Sequence, residues 1–356
     1  MGKVFLCCTD IDEVITGSHK VAGIPVFMLM WAKAFYQNGY EVYSISSKEE
    51  TTLEGIHFIK RSKLSELGKI HLGVFTDFFI YQDLIKRIQP DYVIIHGSSR
   101  IHAFLYLLSK RYHFKLIYFG ASDVDFVKGQ EFLVHGIDKL LFRWALKKTK
   151  YIICQNEFQQ EKLLSYYSKN SIIIPSIWFL DEGRLFKKTN DFIWVANIKP
   201  LKRLEWFVEL AARMSSFRFV VIGGIQDYEY FNRIESKMNE LSNIKYLGPL
   251  PLNRVQDEIA RSRILICTSE FEGFPNTFVQ AFAENVPVVS TVNPNGIFTK
   301  KELGAICESI DDIEFTCRRI ISDKNRYKQC QLEISQYFQE THCPSQAFLK
   351  LQNYIN

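Results

Sequence analysis

Short apolar runs alternate with amphipathic stretches along almost the whole chain, and this alternation constrains the fold more than any other feature. Runs at 3–9, 41–46, 92–96, 116–120, 151–155 and 172–175 are rich in Val, Ile, Leu, Phe and Tyr and too short for helices. Between them, 24–36, a segment ending at 84–87, 101–110, 137–148 and 157–167 read as helices. A continuous apolar run suits a strand buried on both faces, and parallel strands need helical crossovers. The pattern therefore predicts a doubly wound α/β domain. Residues 176–190 interrupt it. The Pro175-Ser176 turn, Gly183 and the charged sequence DEGRLFKKTND read as a linker. A second series follows, with strands at 192–196, 217–222, 244–247, 264–268 and 286–289 and helices at 204–214, 230–241 and 252–260. Helices at 312–322, 326–341 and 346–354 complete the chain. Its 356 residues suit two domains of roughly 150–200 residues each.

Composition narrows the class. An apolar fraction of 47% and a charged fraction of 23% are those of a globular protein. No apolar run reaches the ~18 residues of a spanning helix, and the N-terminal sequence lacks a signal-peptide cleavage pattern. The eight cysteines form no CxxC pair and several fall in predicted strands, as expected of reduced thiols in a cytoplasmic protein. No 20–50-residue repeat or low-complexity segment is present. Charge is uneven. Residues 1–178 hold 22 basic and 17 acidic groups, so the whole net charge of +5 lies in the first half. This points to an anionic partner there, a membrane surface or a phosphorylated acceptor, and nothing points to nucleic acid. The basic, apolar segment 139–148 is a candidate for contact with an anionic membrane. The competing reading is a helix packed on the sheet with snorkelling lysines.

The most informative stretch is 269–290, SEFEGFPNTFVQAFAENVPVVS. Glu272-Gly273-Phe274-Pro275 is a turn, because Gly supplies unusual backbone angles and Pro fixes φ. Asn276 is placed to cap the helix that follows, Asn285 to take the left-handed position that ends it, and Pro287 to prevent its continuation. A glycine turn opening a helix is an anion site, since free N–H groups and the helix dipole converge there. Glu272 precedes that N-terminus, and Gln280 lies about one turn inside the helix.

These residues resemble the E-x7-E signature of the retaining glycosyltransferases of family four. Glu272 matches the first Glu, Gln280 stands at the second, and Asn285 replaces a usual Gly. The resemblance implies the GT-B fold, two Rossmann-like doubly wound domains facing each other across a cleft. It divides the chain at 1–178 (acceptor side) and 179–340 (donor side), with 341–356 crossing back to the first domain. It implies transfer of a sugar, with retention, from a UDP- or GDP-linked donor to a glycan or lipid-linked acceptor. The setting implied is bacterial surface polysaccharide assembly, in the cytoplasm or at the inner face of the membrane. The alternative is a non-catalytic, nucleotide-sugar-binding partner of another glycosyltransferase.

Further residues follow from the same resemblance. The segment from Trp194 to Arg203 is similar to the family's Gly-Arg-Leu…Lys-Gly element, whose Arg and Lys hold the donor diphosphate. Lys202 matches the Lys; Asn197 replaces the Arg, and Lys199 or Arg203 is the candidate to replace that charge. Gly223 resembles a glycine turn beside the nucleotide, and Leu247 and Gly248 a loop that receives the base. Gly23 remains of a phosphate-side glycine pair, with Ala22 at the other position. Glu272 is expected to bind donor-sugar hydroxyls, Gly273, Phe274, Pro275, Asn276 and Thr277 to hold sugar and phosphate through backbone groups, and Gln280 the ribose. Relatives carry a His near 119–125. Here Ser122, Asp123 and Asp125 are the candidates, Asp123 first, because His96 and His113 read as poorly placed. The triplets Asp10-Ile11-Asp12 and Asp123-Val124-Asp125 read as turn and cap carboxylates rather than a metal site. No metal or other cofactor is expected, because a helix N-terminus and Lys202 can stabilise the leaving diphosphate. No G-x-G-x-x-G follows the first strand, which argues against a dinucleotide-dependent dehydrogenase.

Overall fold

The computed structural model describes residues 2–17, 23–46, 49–60, 73–180, 186–272 and 274–356. They form two compact units. One gathers the described residues of Met1–Thr16, Val21–Ile177 and Pro344–Asn356; the other gathers those of Trp178–Cys343, with Gly17.

In the first unit the order is β1 (Lys3–Leu6), α1 (Ile11–Thr16), α2 (Gly23–Gln37), β2 (Glu41–Ser46), β3 (Thr51–Leu53), β4 (Ile56–Lys60) and α3 (Gly73–Ile88). Then come β5 (Tyr92–His96), α4 (Ile101–Tyr112), β6 (Lys115–Phe119), α5 (Gly136–Lys148), β7 (Tyr151–Cys154), α6 (Glu157–Tyr167) and β8 (Ile172–Ile173). The sheet runs β3-β4-β2-β1-β5-β6-β7-β8 and is parallel except for the β3/β4 hairpin. Phe5, Val93, Leu105, Tyr118, Phe142 and Ile152 lie in its core. The apolar runs become central strands because only a site covered on both faces removes all of their side chains from water.

In the second unit the order is β9 (Asn190–Val195), α7 (Leu204–Arg213), β10 (Phe219–Ile222), α8 (Tyr228–Asn239), β11 (Ile244–Tyr246), α9 (Leu252–Ala260) and β12 (Ser262–Cys267). It continues through α10 (Asn276–Ala283), β13 (Val288–Ser290), α11 (Ile297–Lys300), β14 (Gly304–Ile306), α12 (Ile310–Ser322) and α13 (Lys324–Thr341). The sheet runs β11-β10-β9-β12-β13-β14 and is parallel throughout. Renumbered within the unit this is 3-2-1-4-5-6, the Rossmann order, whose ligand crevice lies where the order reverses. Here that point is between the carboxyl ends of β9 and β12.

The last helix, α14 (Pro344–Ile355), belongs to the first unit. It buries Ala347, Phe348, Leu351 and Ile355. Phe348 meets Phe35 of α2 edge-on at 5.1 Å, and Lys115 Nζ donates to Ile355 O at 3.0 Å.

The structure departs from the sequence reading in three local places. The hairpin β3/β4 was not expected, because its turn is Glu54-Gly55 rather than Asn-Gly; both residues take positive φ, +50° and +78°. Part of the expected linker is stitched down, while residues 181–185 lie outside the described ones. Lys188 Nζ donates to Ala260 O at 2.8 Å and Ser262 O at 2.9 Å, and burial lowers its pKa to about 8. The strand β9 then starts at Asn190, inside that segment, because Asn190 can pair with Ser262. Finally, Asn276 does not cap α10. The cap position is Pro275, without a side-chain hydrogen bond, and Asn276 is already helical.

Candidate functional site

The turns after β9 and β12 meet at the switch point of the second sheet. After β9 the chain passes Asn197 and makes a short 3₁₀ turn, Pro200–Lys202. After β12 it runs through Thr268, Ser269 and Glu272 to α10. The two turns are laced together. Glu270 N donates to Leu201 O at 3.0 Å, and Thr268 Oγ1 donates to Lys202 O at 2.7 Å while accepting from Trp194 Nε1 at 3.0 Å. Arg203 adopts the left-handed conformation at φ +48°, stacks over Trp206 at 4.1 Å, and donates to Thr268 O at 2.6 Å and Ser269 O at 3.3 Å. Thr291 Oγ1 holds Ser269 O from the β13 side at 2.6 Å.

This lacing presents a polar centre. Glu272 Oε1 accepts from Lys202 Nζ and, at 2.8 Å, from Ser269 Oγ. The ion-paired side chains are only 15% and 19% exposed, so the pair is largely screened from bulk water yet open to a ligand. An ammonium group has three donors. One goes to Glu272, and among the described residues the other two have no acceptor. Beside the pair begins α10, whose cap residue, Pro275, makes no side-chain hydrogen bond. Its N–H groups and dipole favour an anion. The far end closes by the left-handed route expected: Asn285 has φ +52°, Val286 N donates to Ala281 O at 2.9 Å and Asn285 N to Phe282 O at 3.1 Å.

The remaining candidates distribute as follows. Lys199 and Asn197 lie in the β9 turn, half-buried, with no side-chain partner among the described residues. Arg203 gives two of its five donors to the Thr268 and Ser269 carbonyls, and Lys199 has no side-chain partner among the described residues. Gly223 follows β10 at φ +159°; a Cβ there would lie 1.8 Å from Ala196 O. Its N–H donates to Gly248 O at 3.1 Å, Tyr246 Oη donates to its carbonyl at 2.8 Å, and Leu247 N donates to Val221 O at 2.9 Å. The Gly223 and Leu247-Gly248 turns therefore stand side by side. Phe274 packs its ring on Phe278 and His342. Thr277 is half-buried in the first turn of α10. Gln280 is 3% exposed, and its Nε2 has no partner among the described residues. Gly273 lies outside the described residues. The sequence reading gave no role to Thr268 and Thr291, and it quoted Ser269 and Trp194 within its two motif stretches without assigning them the positioning contacts seen here. Burial, with the Glu272 charge nearby, raises the pKa of Cys267 and keeps it a thiol.

Gly23 and Asp123 belong to the first unit. Gly23 opens α2. Asp123 Oδ1 accepts from Asn156 Nδ2 at 2.9 Å and Gln159 Nε2 at 3.0 Å, so it braces the start of α6. Asp125 is buried, and it accepts from Ala121 N at 2.8 Å and Ser122 N at 3.1 Å. Burial raises its pKa. Asp12 is likewise engaged, accepting from Ser46 Oγ at 2.7 Å. Among the described residues no group of three or more His, Cys, Asp or Glu has a metal-binding arrangement. His96 lies nearer the 120–125 loop than its distance along the chain suggests. It ends β5 opposite Phe119 of β6, beside the 120–125 loop, with its ring stacked on Phe27 at 4.0 Å. Its pKa is lowered by burial to about 3. The register between β5 and β6, which sequence spacing does not give, puts it there.

The architecture, two Rossmann-like domains with parallel sheets, is that of the GT-B glycosyltransferases. Residues 189–323 match the family model for glycosyl transferases group 1, and residues 21–156 the model for glycosyl transferase 4-like domains. The two matches and the shared fold support membership of the group 1 glycosyltransferases. The chain is 22% identical over 238 residues to an uncharacterized glycosyltransferase of Methanocaldococcus jannaschii, covering 58% of this chain and 57% of that protein. It is 24% identical over 259 residues to the lipopolysaccharide 1,6-galactosyltransferase of Salmonella typhimurium, covering 70% of each. Similar solved structures include the sucrose-phosphate synthase of Thermosynechococcus elongatus, at TM-score 0.76 and 13% identity over 99% of this chain and 98% of that one. HepE of Anabaena, in complex with UDP-glucose, aligns at TM-score 0.70 and 11% identity over 100% of this chain and 99% of that one.

Proposed function

We propose that the chain transfers a sugar, with retention, from a UDP- or GDP-linked donor to a glycan or lipid-linked acceptor in bacterial surface polysaccharide assembly, at the cytoplasmic face of the membrane. The observation that carries this is the Lys202–Glu272–Ser269 centre beside the start of α10, at the switch point of a sheet in Rossmann order. A leaving diphosphate gains negative charge as the glycosidic bond breaks. Lys202, Lys199 and the α10 N–H groups offer fixed positive potential for it, so no metal ion is required. Glu272 is held by Lys202 and Ser269 and keeps lone pairs for sugar hydroxyls. Gln280, with an unused NH2, can donate to a ribose oxygen. A UDP-glucose complex in a neighbour of the same fold and a lipopolysaccharide galactosyltransferase among the relatives support the donor class and the setting.

The test is donor turnover. UDP- and GDP-sugars are incubated with the protein and a cell-envelope lipid extract, with and without EDTA, and the anomeric configuration of the product is read by NMR. Transfer that survives EDTA, retains configuration and is lost in Glu272→Gln is expected. Tight donor binding with no transfer to any acceptor would leave a non-catalytic binding partner as the better account.

A further inference from the structure

Arg203 holds a backbone conformation that its own side chain disfavours. It lies at φ +48° and ψ +52°, in the left-handed region, at the cap position of α7. A Cβ crowds the neighbouring carbonyl there, whereas glycine enters the region freely. The family element that this segment resembles carries Gly after its Lys, the place that Arg203 fills. Strain kept beside a ligand site points to work done by the residue that bears it.

The contacts of the side chain show what that work is. Nε donates to Thr268 O at 2.6 Å and Nη2 to Ser269 O at 3.3 Å, so one edge of the guanidinium grips two successive carbonyls. Its face lies over the Trp206 ring, 4.1 Å from the centroid. Trp206 is fixed in turn, because its N–H donates to Arg203 O at 3.1 Å in the first turn of α7. The start of α7 is thereby tied to the loop that leaves β12.

That loop sets Glu272. Ser269 Oγ donates to Glu272 Oε1 at 2.8 Å, and Cys267 Sγ donates to Ser269 Oγ at 3.6 Å, which leaves the hydroxyl proton for the carboxylate. Lys202 Nζ meets the same oxygen. Both donors fix Oε1, and Oε2 has no partner among the described residues. The carboxylate is held by one oxygen and presents the other. Lys202 directly precedes Arg203, so the left-handed kink also sets where Lys202 leaves its 3₁₀ turn.

We propose that Arg203 is a positioning residue. Through the Thr268 and Ser269 carbonyls it holds Ser269, and through Ser269 it holds Glu272 with Oε2 turned to the donor sugar. Its guanidinium acts on the loop and not on the diphosphate. This deepens the proposed sugar transfer and rests on it. It predicts that loss of the side chain slows transfer and leaves nucleotide affinity alone.

Arg203→Gly suits the test, because glycine accepts φ +48° and the variant should fold. Its kcat should fall on the order of 10-fold or more, the effect of a small misplacement of a reacting group, while the dissociation constant for UDP or GDP stays at the wild-type value. Arg203→Lys keeps the charge without the planar fork, so it should recover only part of kcat. Hydrogen exchange reads the brace without any donor. The Glu270 N–H, bonded to Leu201 O, should exchange faster in Arg203→Gly, and the Val286 N–H at the far end of α10 should not. Wild-type kcat and wild-type exchange at Glu270 in Arg203→Gly would overturn the proposal. Nucleotide affinity that falls in step with kcat would also overturn it and make Arg203 a diphosphate ligand. Faster Glu270 exchange in the variant, with no transfer by either protein, would keep the brace and remove the transferase reading.

Discussion

The Lys202–Glu272 pair offers a clean separation of ligand binding from fold stability. At 15% and 19% exposure, the pair sits where an effective dielectric near 20 applies, and a close contact is worth about 4 kcal/mol before desolvation and screening. After those losses the net worth of a charged hydrogen bond is roughly 1.5–3 kcal/mol. Lys202→Met leaves Glu272 with only the Ser269 hydroxyl among the partners seen here. It should therefore lower stability by about that amount. Glu272→Gln should cost less, because the amide oxygen can still accept from both donors. In the double variant the unpaired charge is gone, and much of the stability should return. Binding of UDP or GDP should not return. The ammonium is expected to contribute to the diphosphate in its own right, so both variants lacking Lys202 should bind it at least about tenfold more weakly, the fold-change for 1.4 kcal/mol. Denaturant unfolding gives the stability arm and calorimetric titration the binding arm. Nucleotide binding that tracks stability, recovering in the double variant, would show that Lys202 only supports Glu272. Unchanged binding in Lys202→Met would remove it from the site.

Three further outcomes are expected. Gly223→Ala places a methyl group against Ala196 O, so it should destabilise the protein by more than about 1 kcal/mol and weaken nucleotide binding; wild-type values in unfolding and titration would show that the β9 and β10 turns give way freely. Gln280→Ala should raise the donor KM by a factor corresponding to roughly 0.5–1.5 kcal/mol, whereas Gln280→Glu should bind the donor at least as well, and steady-state kinetics with equal KM in all three would place Gln280 outside the ribose contact. His102 is fully buried, with Nε2 2.8 Å from Thr149 Oγ1, and burial lowers its pKa from 6.5 to about 3. The unfolded chain then binds the extra proton between those values, so stability is complete above pH 6.5 and falls by up to about 1.4 kcal/mol per pH unit below it; His102→Gln should flatten that slope by one proton in urea titrations at pH 7.5, 6 and 5. An unchanged slope would mean that His102 is already protonated in the fold.

The alternation of strands and helices was legible in the residues alone, because period and apolar run length are local properties that any parallel α/β sheet must satisfy. The sequence also placed the helix start after Pro275 and the left-handed stop at Asn285, since Pro and Asn act on their own backbone. It could not supply partners distant along the chain. Lys202 and Glu272 are 70 residues apart, and they meet because β9 and β12 are adjacent in the sheet, an order that no local pattern encodes. The same holds for Arg203, whose contacts with the Thr268 and Ser269 carbonyls join residues 65 and 66 apart in the chain. It holds for His96, which strand register brings beside the 120–125 loop. On α5 the sequence left open which side chains face the core. Tertiary packing decided it, drawing Arg143 onto buried Glu131 and leaving Leu140 and Trp144 in water, because only the face carrying Phe142, Ala145 and Leu146 could be fully buried against the sheet.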